Sequence, residues 1–196
     1  MADDREMMGR VQAGEQSALE LLFARWEGPL FAYFHRLGCH PSWAEDLVEE
    51  TLVTLHRRRQ RYDPSRPFAP WLYGIARLVW KDHLRHRGRD LYGAAPLEEV
   101  ERATATEPTA LQAAERQEQS ERVRAAIQGL PVEQREAVVL RHYHGLSYDD
   151  IARVVEAPLG TVKWRIHEAV RRLERVVIEE RAINAPRCAD PRRAGE

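Results

Sequence analysis

Residues 145–173 read GLSYDDIARVVEAPLGTVKWRIHEAVRRL, and no other stretch restricts the fold as tightly. Gly145 supplies a turn and Ser147 is a good N-cap. Asp150, three residues on, completes a capping box. Ile151, Val154 and Val155 then line one face of a helix. Glu156-Ala157-Pro158 breaks it, because proline is excluded from a helix interior yet suits the first turn of the next helix. That next helix sets Val162, Ile166, Ala169, Val170, Leu173 and Val177 at helical spacing. Its other faces carry Lys163, Trp164, Arg165, His167, Arg171, Arg172 and Arg175. A short capped helix, a tight turn and a longer basic helix are the parts of a helix-turn-helix, whose second helix enters the DNA major groove. Paired amphipathic helices also occur in any helical bundle, and arginines often only solvate a surface. The small polar first turn, Gly160-Thr161, favours the DNA reading, since a helix N-terminus with little bulk approaches phosphates closely.

Lys and Arg number 30 against 31 Asp and Glu, a net charge of -1. The total does not point to nucleic acid, but the signs are segregated along the chain, and local stripes matter more than the sum. No apolar run is long enough to span a bilayer, and the acidic N-terminus MADDREMM is not a signal peptide, so no membrane insertion is expected. Two cysteines, Cys39 and Cys188, make no disulfide framework and fit a reducing cytoplasm. There is no Gly-rich phosphate loop, no Cys-x-x-Cys and no Ser/His/Asp or paired-carboxylate arrangement, so no catalytic residue and no enzyme activity are expected. His35 and Cys39 lie four apart on a helix, and His142 and His144 are further metal-ligating types. They make no closed ligand set, and neither a metal nor a cofactor is expected.

The chain ahead of residue 145 is helical by pattern. A short helix runs through about Gly14. A longer one spans Ser17 to Leu37, with Leu19, Leu22, Phe23, Trp26, Leu30 and Phe34 on one side and a bend at Gly28-Pro29. Gly38 ends it and His40-Pro41 reads as a loop. Ser42 is the expected cap of the next helix, with Glu45 closing a second capping box. That helix reaches about Arg59, with Leu47, Val48, Leu52 and Leu55 inward. Glu45, Asp46, Glu49 and Glu50 make its start acidic. The helix dipole favours such residues, but four carboxylates in six residues exceed what it needs and suggest a basic partner.

The charge then flips. Arg57, Arg58, Arg59 and Arg61 lead into the loop Tyr62-Asp63-Pro64-Ser65-Arg66-Pro67. A helix from Phe68 to about Arg87 follows, with Phe68, Leu72, Ile75 and Val79 as its core face. Trp71, Tyr73 and Trp80 are interleaved with Arg77, Lys81, Arg85 and Arg87. Rings among cations are what single-stranded DNA binding uses, because bases stack and phosphates pair; Trp71 and Trp80 serve equally well as core. From 89 to 109 the pattern dissolves into Gly, Ala, Pro, Thr and Glu, a linker. Helix resumes near Leu111 and ends at Gly129, and another runs from Pro131 to Tyr143 with Val132, Ala137, Val138 and Leu140 apolar. A disordered tail is expected at 181–196.

Read together, the two halves resemble a bacterial sigma factor of the extracytoplasmic-function (ECF) class. AEDLVEETL, Ala44 to Leu52, resembles the family segment that docks on the clamp helices of RNA polymerase. RYDPSRPFAPWLYGIAR, Arg61 to Arg77, resembles the segment that melts the promoter and holds its −10 element. LPVEQREAVVLRHYHGLSYDDIA and LGTVKWRIHEAVRRL resemble the −35-binding domain. The helix-turn-helix half alone is shared with LuxR-type regulators, which bind duplex DNA without joining polymerase, and that is the alternative. The front half, in this order and at this distance, favours the sigma reading. Leu78 stands where many relatives have Asn, Trp164 where they often have Ser, and Glu168 where they often have a basic residue.

The resemblance implies an all-α fold of two small helical domains, 1–88 and 110–180, joined by a flexible linker at 89–109. It implies core RNA polymerase and promoter DNA, duplex and melted, as partners, and allows an anti-sigma factor. Glu45, Asp46, Glu49 and Glu50 would meet polymerase. Tyr62, Asp63, Arg66, Phe68, Trp71, Tyr73, Arg77 and Lys81 would meet the −10 element. Thr161, Lys163, Trp164, Arg165, His167 and Arg171 would meet the −35 element. Lys163 donates either to guanine or to phosphate. Trp164 packs on sugar, on a thymine methyl, or back onto linker or polymerase. Glu168 accepts from a cytosine amino group or pairs with Arg165 or Arg172, and pairing is favoured.

Overall fold

The long apolar stripe of the second helix is the spine of the first half. The computed structural model describes residues 3–87 and 123–184, with side chains over 3–86 and 123–175. The expected linker at 89–109 and the helix start near Leu111 lie outside the described residues. Helix α1 is Asp4–Gln12 and α2 is Gln16–Arg36. Leu19, Leu22, Leu30 and Phe34 of α2 are buried. Pro29 lies inside α2, which continues through it.

Helix α3 is Pro41–Arg58, and its start corrects the expected cap. Pro41 is the first helical residue, where its missing amide costs nothing. The cap therefore moves back to His40, whose ring Nδ1 accepts from the Ser42 amide at 3.4 Å. Ser42 and Glu45 form no capping box there. A 3₁₀ turn, Arg59–Arg61, closes α3, and α4 runs Phe68–Arg87. α3 packs on both α2 and α4, and α1 covers α2.

In the second half, residues 123–128 are helical (α5). Helix α6 is Val132–Val138, with Pro131 at its N-cap. The expected single helix to Tyr143 is interrupted: Val139–Tyr143 forms a π-helical turn. The Leu146 amide bonds back to the Leu140 carbonyl at 3.1 Å across that turn, and Arg141 Nη1 donates to the Leu146 carbonyl at 3.0 Å. Helix α7 is Tyr148–Val155 and α8 is Leu159–Asn184. The last helix thus runs four residues into the stretch expected as tail. Val162, Ile166 and Ala169 are buried along α8, as its spacing predicts.

Among the described residues there is no strand, and no helix is long and apolar enough to cross a membrane. The fold is all-α, and its two halves are not held apart. α4 packs on α7, and α2 on the π-turn. One buried cluster runs from Met7 through Tyr33 and Tyr73 to Leu140, Ile151 and Ile166.

Candidate nucleic-acid interface

The helix-turn-helix forms as its punctuation demands. Ser147 Oγ accepts from the Asp150 amide at 3.1 Å and donates to the Asp150 carboxylate at 2.5 Å. α7 ends at Glu156, in the left-handed region at φ 53°. That conformation is uncommon for any residue but glycine; it ends the helix, and Pro158 then allows the chain to re-enter one. With Val162, Ile166 and Ala169 buried, Lys163, Trp164, His167 and Arg171 are thrown outward and exposed. Thr161 and Arg165 flank them, half-buried. Glu168 pairs with Arg171 at 2.9 Å and Arg172 at 3.1 Å. Hydrogen bonds from Arg171 and then Arg172 hold its carboxyl below the ordinary range. The favoured pairing of Glu168 thus holds, with Arg171 in the place expected for Arg165.

On α3, Glu45, Asp46, Glu49 and Glu50 are all exposed, while Ala44, Leu47, Val48 and Thr51 between them are buried. The register that fills the core leaves one unbroken acidic face.

The third group is divided. The loop before α4 is tied in place: Tyr62 Oη donates to the Arg66 carbonyl at 2.6 Å, and Asp63 Oδ1 accepts from the Ser65 amide at 2.9 Å. From behind, Gln12 of α1 donates to the carbonyls of Arg59 and Tyr62. Asp63 and Arg66 project from this preformed loop and are exposed, as is Lys81. Trp71 is half-buried, 5.0 Å from the Tyr62 ring. Tyr62, Phe68, Tyr73 and Arg77 are buried. Phe68 and Tyr73 pack edge-on against Trp26 of α2. Tyr62, Phe68 and Tyr73, which the resemblance offers as contacts for the −10 element, thus pack into the core. Trp80 is core as well.

A cleft between α4 and α7 collects Arg58, Arg61, Arg66, Arg77 and Arg153 around Trp71. Arg58 and Arg61 were visible in the sequence only as a charge run. Arg153 carried no signal, since its membership depends on how α7 meets α4. Arg77 is the innermost, its Nε 2.9 Å from Glu136 Oε1, with the two side chains 8% and 3% exposed. Burial raises the Glu136 carboxyl above its ordinary value, and the Arg77 charge pulls it back. Removing one member of such a pair leaves an uncompensated buried charge, at a cost of about 3–5 kcal/mol. Nearby, Tyr73 Oη and His144 Nδ1 share a hydrogen bond at 2.6 Å. Burial, with Arg36 adding to it, pushes the His144 imidazole down to about 4. Among the described residues no group of His, Cys, Asp and Glu is placed to hold a metal ion.

Two family models divide the chain as the helices do. Residues 22–90 match Sigma-70 region 2, and residues 120–173 match Sigma-70, region 4. RNA polymerase sigma-H factor of Pseudomonas aeruginosa is 31% identical over 180 residues, 89% of this chain and 93% of that protein. ECF RNA polymerase sigma-E factor of Escherichia coli K12 is 31% identical over 174 residues, 85% of this chain and 90% of that one. The chain belongs to the ECF class of RNA polymerase sigma factors. Its fold is similar to CnrH, solved in complex with the cytosolic domain of CnrY, with TM-score 0.67 at 25% identity over 90% of this chain and 98% of that one.

The sigma factor therefore binds core RNA polymerase and promoter DNA and serves promoter-specific transcription initiation. The duplex-only regulator is not favoured: it leaves the region 2 match over the first half without a purpose.

Proposed function

We propose a division of labour among the three groups of side chains. Glu45, Asp46, Glu49 and Glu50 on α3 dock the sigma factor on polymerase. The Tyr62–Pro67 loop, Trp71, Arg77 and Lys81 take the melted −10 strand. Lys163, Trp164 and His167, flanked by Thr161, Arg165 and Arg171, read the −35 duplex. The observation that carries the reading is the acidic face of α3: four exposed carboxylates over a wholly buried opposite side.

The first half corresponds to 1–88 and the second to 110–180, with 89–109 as tether. Two weak DNA contacts joined by a tether act at high effective concentration. Capture of an unstacked base at the preformed loop offsets the few kcal/mol that unstacking costs. The exposed members, Asp63, Arg66 and Lys81, make first contact, whereas the buried Tyr62, Phe68 and Tyr73 support the site from beneath. The protein does no chemistry of its own and works in the cytoplasm beside polymerase. The sigma factor RpoE of Bartonella quintana, similar in fold and solved in complex with the anti-sigma factor NepR, supports an anti-sigma partner for this chain as well.

Run-off transcription with purified core polymerase tests the whole reading: the sigma factor confers promoter-specific initiation on core. Reversing Asp46 and Glu49 together to Lys abolishes the gain by weakening core binding. Both side chains are exposed, so folding stability changes by only about 0.5 kcal/mol. A large loss of stability with normal core binding overturns the docking assignment.

A further inference from the structure

Arg135 and Glu136 are neighbours on α6, and both side chains reach into the first half. Arg135 Nη1 donates to the Leu37 carbonyl at 2.6 Å, at the C-terminus of α2. The same guanidinium bonds the carbonyls of Gln128 and Leu130 in its own half. Gly38 makes the approach feasible: it sits at φ +98°, and a Cβ there would stand 2.8 Å from Arg135 Nη1. Glu136 Oε1, besides its 2.9 Å ion pair with Arg77 Nε, accepts from Tyr33 Oη at 3.2 Å. Glu156, from the turn between α7 and α8, comes within 3.8 Å of Arg77 Nη1. Beside them Arg36 of α2 lies over the Tyr143 ring at 4.2 Å.

Arg77 thus receives two carboxylates from the second half and is almost closed to water. That conflicts with its use as a holder of DNA backbone. Carboxylate and phosphate oxygens present the same acceptor geometry to a guanidinium. The inner face of Arg77 serves one of them at a time.

We propose that Glu136 occupies the −10 site as an internal stand-in for a promoter phosphate, so that α6 and the melted strand compete for Arg77. This rests on the reading of α4 as the single-strand interface. With α6 in place, the outward face of α8 and the acidic face of α3 stay exposed, while the innermost single-strand contact is withheld. Duplex reading and polymerase docking therefore come before strand capture. Lys81, exposed on α4, gives the strand a first foothold, and separating α6 from α2 and α4 frees Arg77.

A site that is only partly available shows an affinity reduced by the available fraction. The test uses the free full-length chain, a fluorescent mixed-sequence single strand of about 12 nucleotides, and small-angle X-ray scattering. Glu136→Gln keeps the shape and an acceptor for Tyr33 and removes the charge. It should enlarge the radius of gyration and tighten strand binding about tenfold. Adding Arg77→Ala to Glu136→Gln should cancel that gain. Tyr33→Phe, which keeps the ring and drops the 3.2 Å hydrogen bond, should move both readouts the same way by less. Unchanged radius and affinity in both variants overturn the proposal, and so does a larger radius with unchanged affinity. The two failures separate: if Arg77→Ala leaves strand binding intact in the opened chain, the −10 assignment of Arg77 falls, whatever the radius.

Discussion

Trp164 on α8 and Tyr73 on α4 are both rings set among cations, and they end at opposite extremes: Trp164 is 60% exposed and Tyr73 1%. The difference comes from what covers each helix. α8 buries one narrow stripe, Val162, Ile166 and Ala169, and nothing among the described residues crosses its other side near the N-terminus. α4 is crossed by α2 and α3 from its own half and by α7 from the other. A ring on α4 is therefore core by default, and only its loop-side and outer residues remain for DNA. Among the rings of α4 and α8, the one left most exposed is Trp164, on the helix that buries a single stripe.

The sharpest way to break this comparison is to remove both rings. Tyr73→Ala empties a packed site against Trp26, Tyr33 and His144. It should cost about 3–5 kcal/mol of folding stability. Trp164→Ala should stay within about 0.5 kcal/mol. Denaturant unfolding of the two variants measures both. Similar costs would show that the α8 ring is also packed, and the contrast would fail.

Much of the α8 side was legible beforehand because a helix with one buried stripe is solved by periodicity alone. Ser147, Asp150, Pro158 and the stripe fixed the motif, and the outward set followed by subtraction. The acidic face of α3 followed in the same way, although its cap did not: His40-Pro41 reads as a loop, yet Pro41 opens the helix. The α4 side was legible only in part. Spacing placed Phe68, Leu72, Ile75 and Val79 correctly, but Tyr73 and Arg77 are buried by residues distant in the chain, Trp26, Tyr33 and His144 for the first and Glu136 for the second. No local pattern carries that information. The π-turn at Val139–Tyr143, which sets His144 against Tyr73, has no sequence signature either.

A second test sharpens the open side of the comparison. Lys163 is exposed, and among the described residues no ion pair claims it, whereas Arg171 and Arg172 share Glu168. Lys163→Ala, assayed against a panel of −35 variants, should cost roughly 1–3 kcal/mol, concentrated at one or two base positions. Equal loss across the panel would make it a phosphate contact, which positions the helix without reading sequence. No loss at all would remove α8 from the groove.

The smallest expected effect lies on the covered side, where the contact between halves should respond to pH through His144. The groups facing its ring are Tyr73 from α4 and Tyr33 and Arg36 from α2. None is acidic, and burial holds the imidazole at about 4 against an ordinary 6.5. A histidine depressed in the closed form binds fewer protons there than when exposed. Its contribution is therefore fully present above about 6.5 and is lost as pH falls toward about 4. Between pH 7.5 and 5.5 the closed form should lose about tenfold in its equilibrium. The comparison that isolates the histidine is native chain against His144→Gln, followed by radius of gyration across that range. The Arg77–Glu136 pair is common to both chains, so its own response to pH cancels when the two are compared. The native chain should open further on acidification than the variant does. Identical profiles would mean that His144 stays neutral when the halves part.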